Sequence, residues 1–199
     1  MNLKNRLRIQ SNHFRANYKE PDIAKTLSNQ IFPWFPLKAN NYIAIFIGTD
    51  RSTGDALGPL AGTYFEEMRP RNLHVYGTVH NPVHAVNLQE SLHSIYKEHD
   101  KPYLIAIDAC LGKSSSIGSI IAENKPLKPG LALNKQLPQV GNMNITGVVN
   151  VSGFMEHTVL QNTRLSLVMD MALEIAGILK QIDNQLTRSV LTHTAEKTM

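Results

Sequence analysis

The amino-acid sequence predicts a three-layer α/β sandwich built on a mostly parallel, twisted sheet. Short apolar runs of strand length, YIAIFI (Tyr42–Ile47) and YLIAI (Tyr103–Ile107), have the composition of strands buried on both faces. Segments with helical periodicity separate the strand candidates, the order that winds a parallel sheet with helices on its faces. Polar residues follow both runs, a Gly- and Asp-rich loop after the first and an aspartate after the other. Such strand ends are where these sheets place their sites.

Each element has its own warrant. Glu20 to Phe32 reads as a short amphipathic helix, with Ile23, Leu27 and Ile31 four residues apart, and Pro33 and Pro36 end it. Tyr42–Ile47 is the first strand. The small and polar residues GTDRSTGDALG (Gly48–Gly58) form a loop, and Pro59 suits a helix start, so Leu60–Met68 is helical. Leu73–Val79 is the second strand, and Ala85–Tyr96 is a helix with Val86, Leu92 and Ile95 available for burial. Pro102 precedes the third strand, Tyr103–Ile107. Ile117–Ala122 and Ile145–Val151 are further strands, and the prolines and glycines of PLKPGLALNKQLPQVGNMN predict a long loop between them. The last helix is the clearest. Leu160, Arg164, Val168, Met171, Ile175 and Leu179 recur at three- and four-residue spacing, up to about Ile182. Residues 185–199 are polar and read as a mobile tail.

Charge is unevenly spread. The 199 residues include 20 Lys and Arg against 16 Asp and Glu, a net charge of +4. Lys4, Arg6, Arg8, Arg15 and Lys19 lie in residues 1–19, which hold no acid, so residues 20–199 carry a net charge of −1. The expected organisation is a basic arm at 1–19, one α/β domain at 20–184 and a polar tail at 185–199. A nearly neutral domain argues against nucleic acid as the main partner. No run approaches the roughly 18 apolar residues of a membrane-spanning helix, and MNLKNRLRIQ lacks the apolar core of a secretory signal. The lone cysteine, Cys110, excludes an internal disulfide, and together these features predict a cytoplasmic protein. A homodimer is the default expectation for a cytosolic oligomer.

The chemistry concentrates at two strand ends. Asp50 and Asp55 occupy the loop after the first strand, and Asp108 follows the run LIAI of the third. Neighbouring parallel strands would bring Asp55 and Asp108 to one rim. There, like-charge repulsion and desolvation separate two carboxyl pKa values and let them divide acid and base roles. The same pair could instead hold a divalent or transition metal, with a histidine completing the set. Taken singly, Asp55 also suits capping of the helix that follows.

Other candidates carry less. The first loop has neither the Gly-Lys-Ser/Thr of a P-loop nor G-x-G-x-x-G spacing, so nucleotide binding is not expected. Cys110 reads as a small core residue rather than a nucleophile. His80 and His84 straddle Pro82, which keeps them off one helical face. Ser52 and Ser114–Ser116 lack a G-x-S-x-G context and read as loop residues. His157, near the start of the last helix, stands in position for the rim.

The segments IFIGTDRSTGDALGPLAG, LIAIDACLG, KPGLALNKQLPQVG and NVSG…LQNTRL resemble the sporulation-associated family called spore protease YyaC, from about Tyr42 to Ala176. More distantly, the chain resembles the longer spore germination protease, whose two essential aspartates lie in matching D-A-L-G-P and I-D-A motifs. That resemblance implies Asp55 and Asp108 as the catalytic pair. It is also similar to the hydrogenase maturation proteases, where an acidic residue of the first loop, an aspartate after a later strand and a histidine bind nickel. Asp55 and Asp108 match the first two, and His157 is the counterpart offered for the third.

These resemblances imply a phosphorylase/hydrolase-like fold and a sporulation-associated peptidase, with no cofactor unless a divalent metal joins the site. Gly48, Asp50 and Gly54 of the first loop and Lys135 of the later loop are the expected substrate-binding residues. Backbone N–H groups of Gly48–Gly58 would help stabilise an oxyanion. The expected substrate is a protein or peptide, small acid-soluble spore proteins among them, met in the forespore or spore core and not at a membrane. The alternative is a catalytically degenerate protease fold that binds peptides in spore formation through residues 80–90 and 125–144.

Overall fold

The computed structural model describes residues 11–37, 39, 41–129 and 138–197. In chain order these form β1 (His13–Asn17), α1 (Ile23–Ile31), a 3-10 turn at Phe32–Trp34, β2 (Tyr42–Phe46), α2 (Leu57–Glu67), β3 (Leu73–Tyr76) and α3 (Leu88–Glu98). There follow β4 (Tyr103–Gly112), a second 3-10 turn at Ser114–Ser116, β5 (Ser119–Glu123), β6 (Met143–Val151), α4 (Glu156–Gln161) and α5 (Leu165–Lys197). The strands make a six-stranded sheet in the order β1-β5-β6-β4-β2-β3. β6, β4, β2 and β3 run parallel, while β5 is antiparallel to β6 and β1 antiparallel to β5.

Side-chain alternation sorts the sheet's two faces. Tyr42, Ala44 and Phe46 of β2, with Ile105 and Ile107 of β4, pack with α1, α2 and α5 in the larger core. Ile43, Ile45 and Ile47, with Leu104 and Ala106, face the other way and pack against Leu88, Leu92 and Ile95 of α3. The central strands are therefore covered on both sides, which is why their sequences are continuously apolar. Among the described residues, no helix is long and apolar enough to cross a membrane.

The connections create a reversal at the centre. From β2 the chain crosses through α2 to β3 on one side, then through α3 to β4 on the other. The crevice at the carboxyl ends of β2 and β4 is the topological switch point of the sheet, where ligands of open α/β sheets bind.

Four local departures from the sequence-based expectation have physical causes. Residues 13–17 of the basic stretch pair with β5 as an edge strand, Arg15 anchoring to Ser119 Oγ at 2.8 Å. The helix expected from Ala85 starts at Leu88, because the Asn87 side chain closes a turn on the His84 N–H and the Pro82 carbonyl. Val86 is left 84% exposed rather than buried. The last helix is broken at 162–164, where buried Thr163 takes a hydrogen bond from Asn150 Nδ2 at 3.2 Å. Beyond the break, α5 runs to Lys197, so residues 185–197, expected to be a tail, continue the helix.

α5 also supplies an anchor that hydrophobic periodicity does not reveal. Asp183 is fully buried, and its Oδ1 accepts the Asn72 N–H at 2.7 Å, the Arg71 N–H at 3.0 Å and the Leu73 N–H at 3.3 Å. Lys180 Nζ lies 3.6 Å from its other oxygen. One carboxylate thus satisfies the backbone where edge strand β3 begins. Asp183→Ala would orphan those donors and is expected to lower the unfolding free energy by about 3 kcal/mol in urea denaturation. A loss under about 0.5 kcal/mol would refute the anchoring role.

Candidate active site

The loop leaving β2 folds back over the strand end because two glycines permit close approach. Gly48 has φ +147°, and a Cβ there would sit 1.9 Å from the Asp55 carbonyl oxygen and 2.8 Å from Pro59 Cδ. Its N–H donates to the Val83 carbonyl at 2.9 Å, while Thr49 N–H donates to the Asp55 carbonyl at 3.2 Å. Gly54 is buried against α4. Its N–H donates to the Leu160 carbonyl at 2.9 Å, and a Cβ would meet Leu160 Cδ2 at 2.7 Å. The loop is tied to strand, helix and neighbouring turn, and Asp55 is held over the switch point.

Asp108 arrives from the adjacent strand. It lies inside β4, not after it, because pairing with β6 carries the strand on to Gly112. It follows Leu104 and Ala106 on the α3 side of the sheet, in register with Thr146 of β6. Ile47 N–H donates to the Ile107 carbonyl at 2.7 Å, which locks the two strand ends together. Asp108 Oδ1 accepts the Ala109 N–H at 2.8 Å.

Both carboxylates line one cavity of about 1210 Å³, with Ser52, Asn144, Thr146 and His157 among its walls. That volume exceeds an ordinary small-molecule pocket of roughly 300–1,000 Å³ and suits a longer ligand. Burial pushes the Asp108 carboxyl up to about 8; the Ala109 N–H opposes this and the nearby Asp55 charge adds to it. Burial also raises Asp55, but the Ser52 hydroxyl and His157 both pull it back toward its ionised form. The environments separate the pair, leaving Asp108 the protonated member at neutral pH. Burial drives the Cys110 thiol up to about 11, so it lacks the thiolate a nucleophile needs.

The other sequence candidates fall in different places. Gly48 and His157 line the cavity, His157 from an exposed position on α4. Asp50 is exposed and outside the lining, whereas its neighbours Thr49 and Arg51 belong to it. Gly54 serves loop packing rather than the cavity surface. Lys135 lies outside the described residues. His84 reaches the wall but His80 does not. Sequence reasoning passed over Asn144 and Thr146, although alternate polar residues in an otherwise apolar strand are the mark of a face turned to a cavity.

A nickel or other divalent ion fits this donor set poorly. Among the described residues, no three His, Cys, Asp or Glu side chains gather closely enough to hold a metal. Asp55, Asp108 and His157 share the cavity without forming a ligand set.

The fold is an α/β sandwich on a mixed six-stranded sheet. The structure is similar to the crystal structure of a NiFe hydrogenase maturation protease, HycI from Thermococcus kodakarensis KOD1, with a TM-score of 0.52 and 14% identity. The match covers 80% of this chain and 99% of that one. By sequence, the chain belongs to the family described as "Protein of unknown function (DUF1256)", whose model matches residues 14–178. It is 53% identical over 141 residues to the uncharacterized protein YyaC of Bacillus subtilis (strain 168), covering 71% of this chain and 69% of that relative.

The raised Asp108 pKa makes stability depend on pH. The unfolded chain releases this proton near the ordinary 3.8, the folded chain near 8. Between those values the folded state binds more protons, so stability falls as pH rises through the window and levels off above it. Asp108→Asn removes the penalty. Its stability relative to wild type is expected to rise from about pH 4 to about pH 8, read from chemical denaturation across that range. A difference that does not change with pH would contradict the assignment.

Proposed function

We propose that this chain is a peptidase in which Asp55 and Asp108 hydrolyse a peptide bond as a base–acid pair. The observation that carries the proposal is the convergence of two carboxylates from neighbouring parallel strands on one cavity, in environments that favour different protonation states. Ionised Asp55 takes a proton from water as the water oxygen bonds to the scissile carbonyl carbon. Protonated Asp108 gives its proton to the carbonyl oxygen as the tetrahedral intermediate forms. Collapse of that intermediate breaks the C–N bond: the proton held by Asp55 passes to the leaving amine, and Asp108 takes back a proton from a hydroxyl of the intermediate as the carbonyl re-forms. The reaction consumes one water and leaves both carboxyls as they began.

The resemblance to sporulation-associated proteases extends the proposal to spore proteins as substrates, in the forespore or spore core. The likeness to a maturation protease supports the protease-like frame only, since fold does not determine chemistry. Wild type, Asp55→Asn and Asp108→Asn are to be incubated with small acid-soluble spore proteins and the products followed by mass spectrometry. Wild type is expected to cleave, and each variant to lose at least about a hundredfold in rate. Equal cleavage by all three would sink the pair. Retention of intact protein by wild type, with no products, would favour a peptide-binding factor on the same fold.

A further inference from the structure

Among the described residues, the three most exposed large apolar side chains are Phe154, 100% exposed, Val86, 84%, and Met155, 73%. All three border the cavity that holds Asp55 and Asp108. Val86 is part of its wall, and Phe154 and Met155 run directly into Glu156 and His157, which line it. Apolar residues scattered singly on a surface need no explanation, but the three barest ones gathered at the edge of one cavity do.

Both groups are built onto the loop that carries Asp55. At one end of that loop Gly48 N–H donates to the Val83 carbonyl at 2.9 Å, and Val83 bridges Ile47 as a short continuation of the sheet. Three residues on, Val86 is held out of α3 by Asn87. The Asn87 Oδ1 accepts the His84 N–H at 2.7 Å, and its Nδ2 donates to the Pro82 carbonyl at 3.0 Å. At the other end of the loop Gly54 N–H donates to the Leu160 carbonyl at 2.9 Å, which fixes α4. Met155 starts that helix with φ 61° and ψ 45°, and its carbonyl accepts the Val159 N–H at 3.1 Å. This left-handed conformation favours glycine and strains a methionine. The loop of Asp55 thus carries an apolar lip at each end, each tied to it by a hydrogen bond.

Contact with water is unfavourable for these side chains, so neither solvent nor a cation satisfies them. A stable dimer buries roughly 800 Å² on each partner, more than three side chains supply. One short polypeptide segment entering the cavity covers them with its own apolar side chains. We propose that Val86 on one side, and Phe154 with Met155 on the other, grip apolar side chains of the substrate that flank the bond presented to Asp55 and Asp108. This assignment rests on the peptidase proposal and adds the substrate class: flexible polypeptides with apolar residues beside the cleaved bond. The aspartates act on the backbone, which every polypeptide shares, so selectivity comes from the lips. A folded protein keeps such side chains inside and is spared until it opens.

Asp108→Asn keeps a neutral side chain of the same shape, so the full chain in that form is expected to bind substrate without cleaving it. It is to be immobilised and offered a randomised decapeptide pool, and the retained peptides read by mass spectrometry. These should be enriched about tenfold over the input in Leu, Ile, Phe and Met. Val86→Ser and Phe154→Ser, each added to Asp108→Asn, should each lose most of that enrichment, while Phe154→Leu keeps it. The substituted side chains are exposed, so these variants fold. With both aspartates present, cleaved peptides should carry apolar residues beside the new termini, and Phe154→Ser should raise KM about tenfold with kcat little changed. Retained peptides no more apolar than the input, or an enrichment that neither serine variant reduces, overturns the apolar lips and leaves the aspartate pair standing. A chain that light scattering shows to be dimeric, and monomeric in Phe154→Ser, has a second copy on this surface and also overturns them. Enrichment without cleavage by wild type, or with cleavage indifferent to Asp55→Asn and Asp108→Asn, removes the peptidase proposal and leaves the apolar grip standing.

Discussion

A carboxyl group set just past the rows that two helical layers bury keeps only part of its hydration, and the candidate site is organised around that constraint. Asp108 stands on β4, between β2 and β6, just past the last rows of Leu104–Ile107 that the two helical layers bury. Its own neighbour, the Ala109 N–H, gives partial relief, and the second carboxylate at the rim takes some of it back. Desolvation therefore sets the proton's residence, and the neutral carboxyl is what the sheet presents to a ligand. Asp55, on a loop with Ser52 and His157 nearby, has the means to remain ionised. One strand end and one loop thus yield two different acids from the same side-chain chemistry.

The topology makes that meeting unavoidable. Because the chain leaves β2 toward β3 and returns to the far side as β4, the two strand ends open on one crevice. The close approach allowed by Gly48 brings Asp55 back over it. The core on the α1, α2 and α5 side is continuous and apolar, whereas the α3 side gives way beyond Ala106 to Asp108, Asn144 and Thr146. A sheet that is apolar on one face and turns polar locally on the other has a cavity there, and its floor is part of the chemistry. Cys110 shares that floor, but its buried thiol holds its proton too firmly to compete as nucleophile.

Much of this was legible in the residues. The runs YIAIFI and YLIAI identified the buried strands, and polar residues at their ends located Asp55 and Asp108, because burial on both faces leaves a plain compositional trace. β1 was hidden by its position on the edge, where its side chains alternate between exposed and half-buried and the basic residues look like a free arm. The α4–α5 break depends on Thr163 meeting Asn150 at the end of β6, a contact that helical periodicity does not encode. Asp183 escaped notice for the same reason, since its partners lie more than a hundred residues upstream. Asn144 was passed over, and Ser52 read as a loop residue, because the cavity that both line is defined by residues brought together only in the packed structure.

Burial and the Asp55 charge together keep Asp108 protonated at neutral pH. Carbon-13 NMR of the side-chain carboxyl carbons, followed against pH in the wild-type chain and in Asp55→Asn, measures this directly. The expected result is an Asp108 midpoint near 8 in wild type that moves down when the Asp55 charge is removed. A midpoint near the ordinary 3.8, or one indifferent to Asp55, would contradict the account.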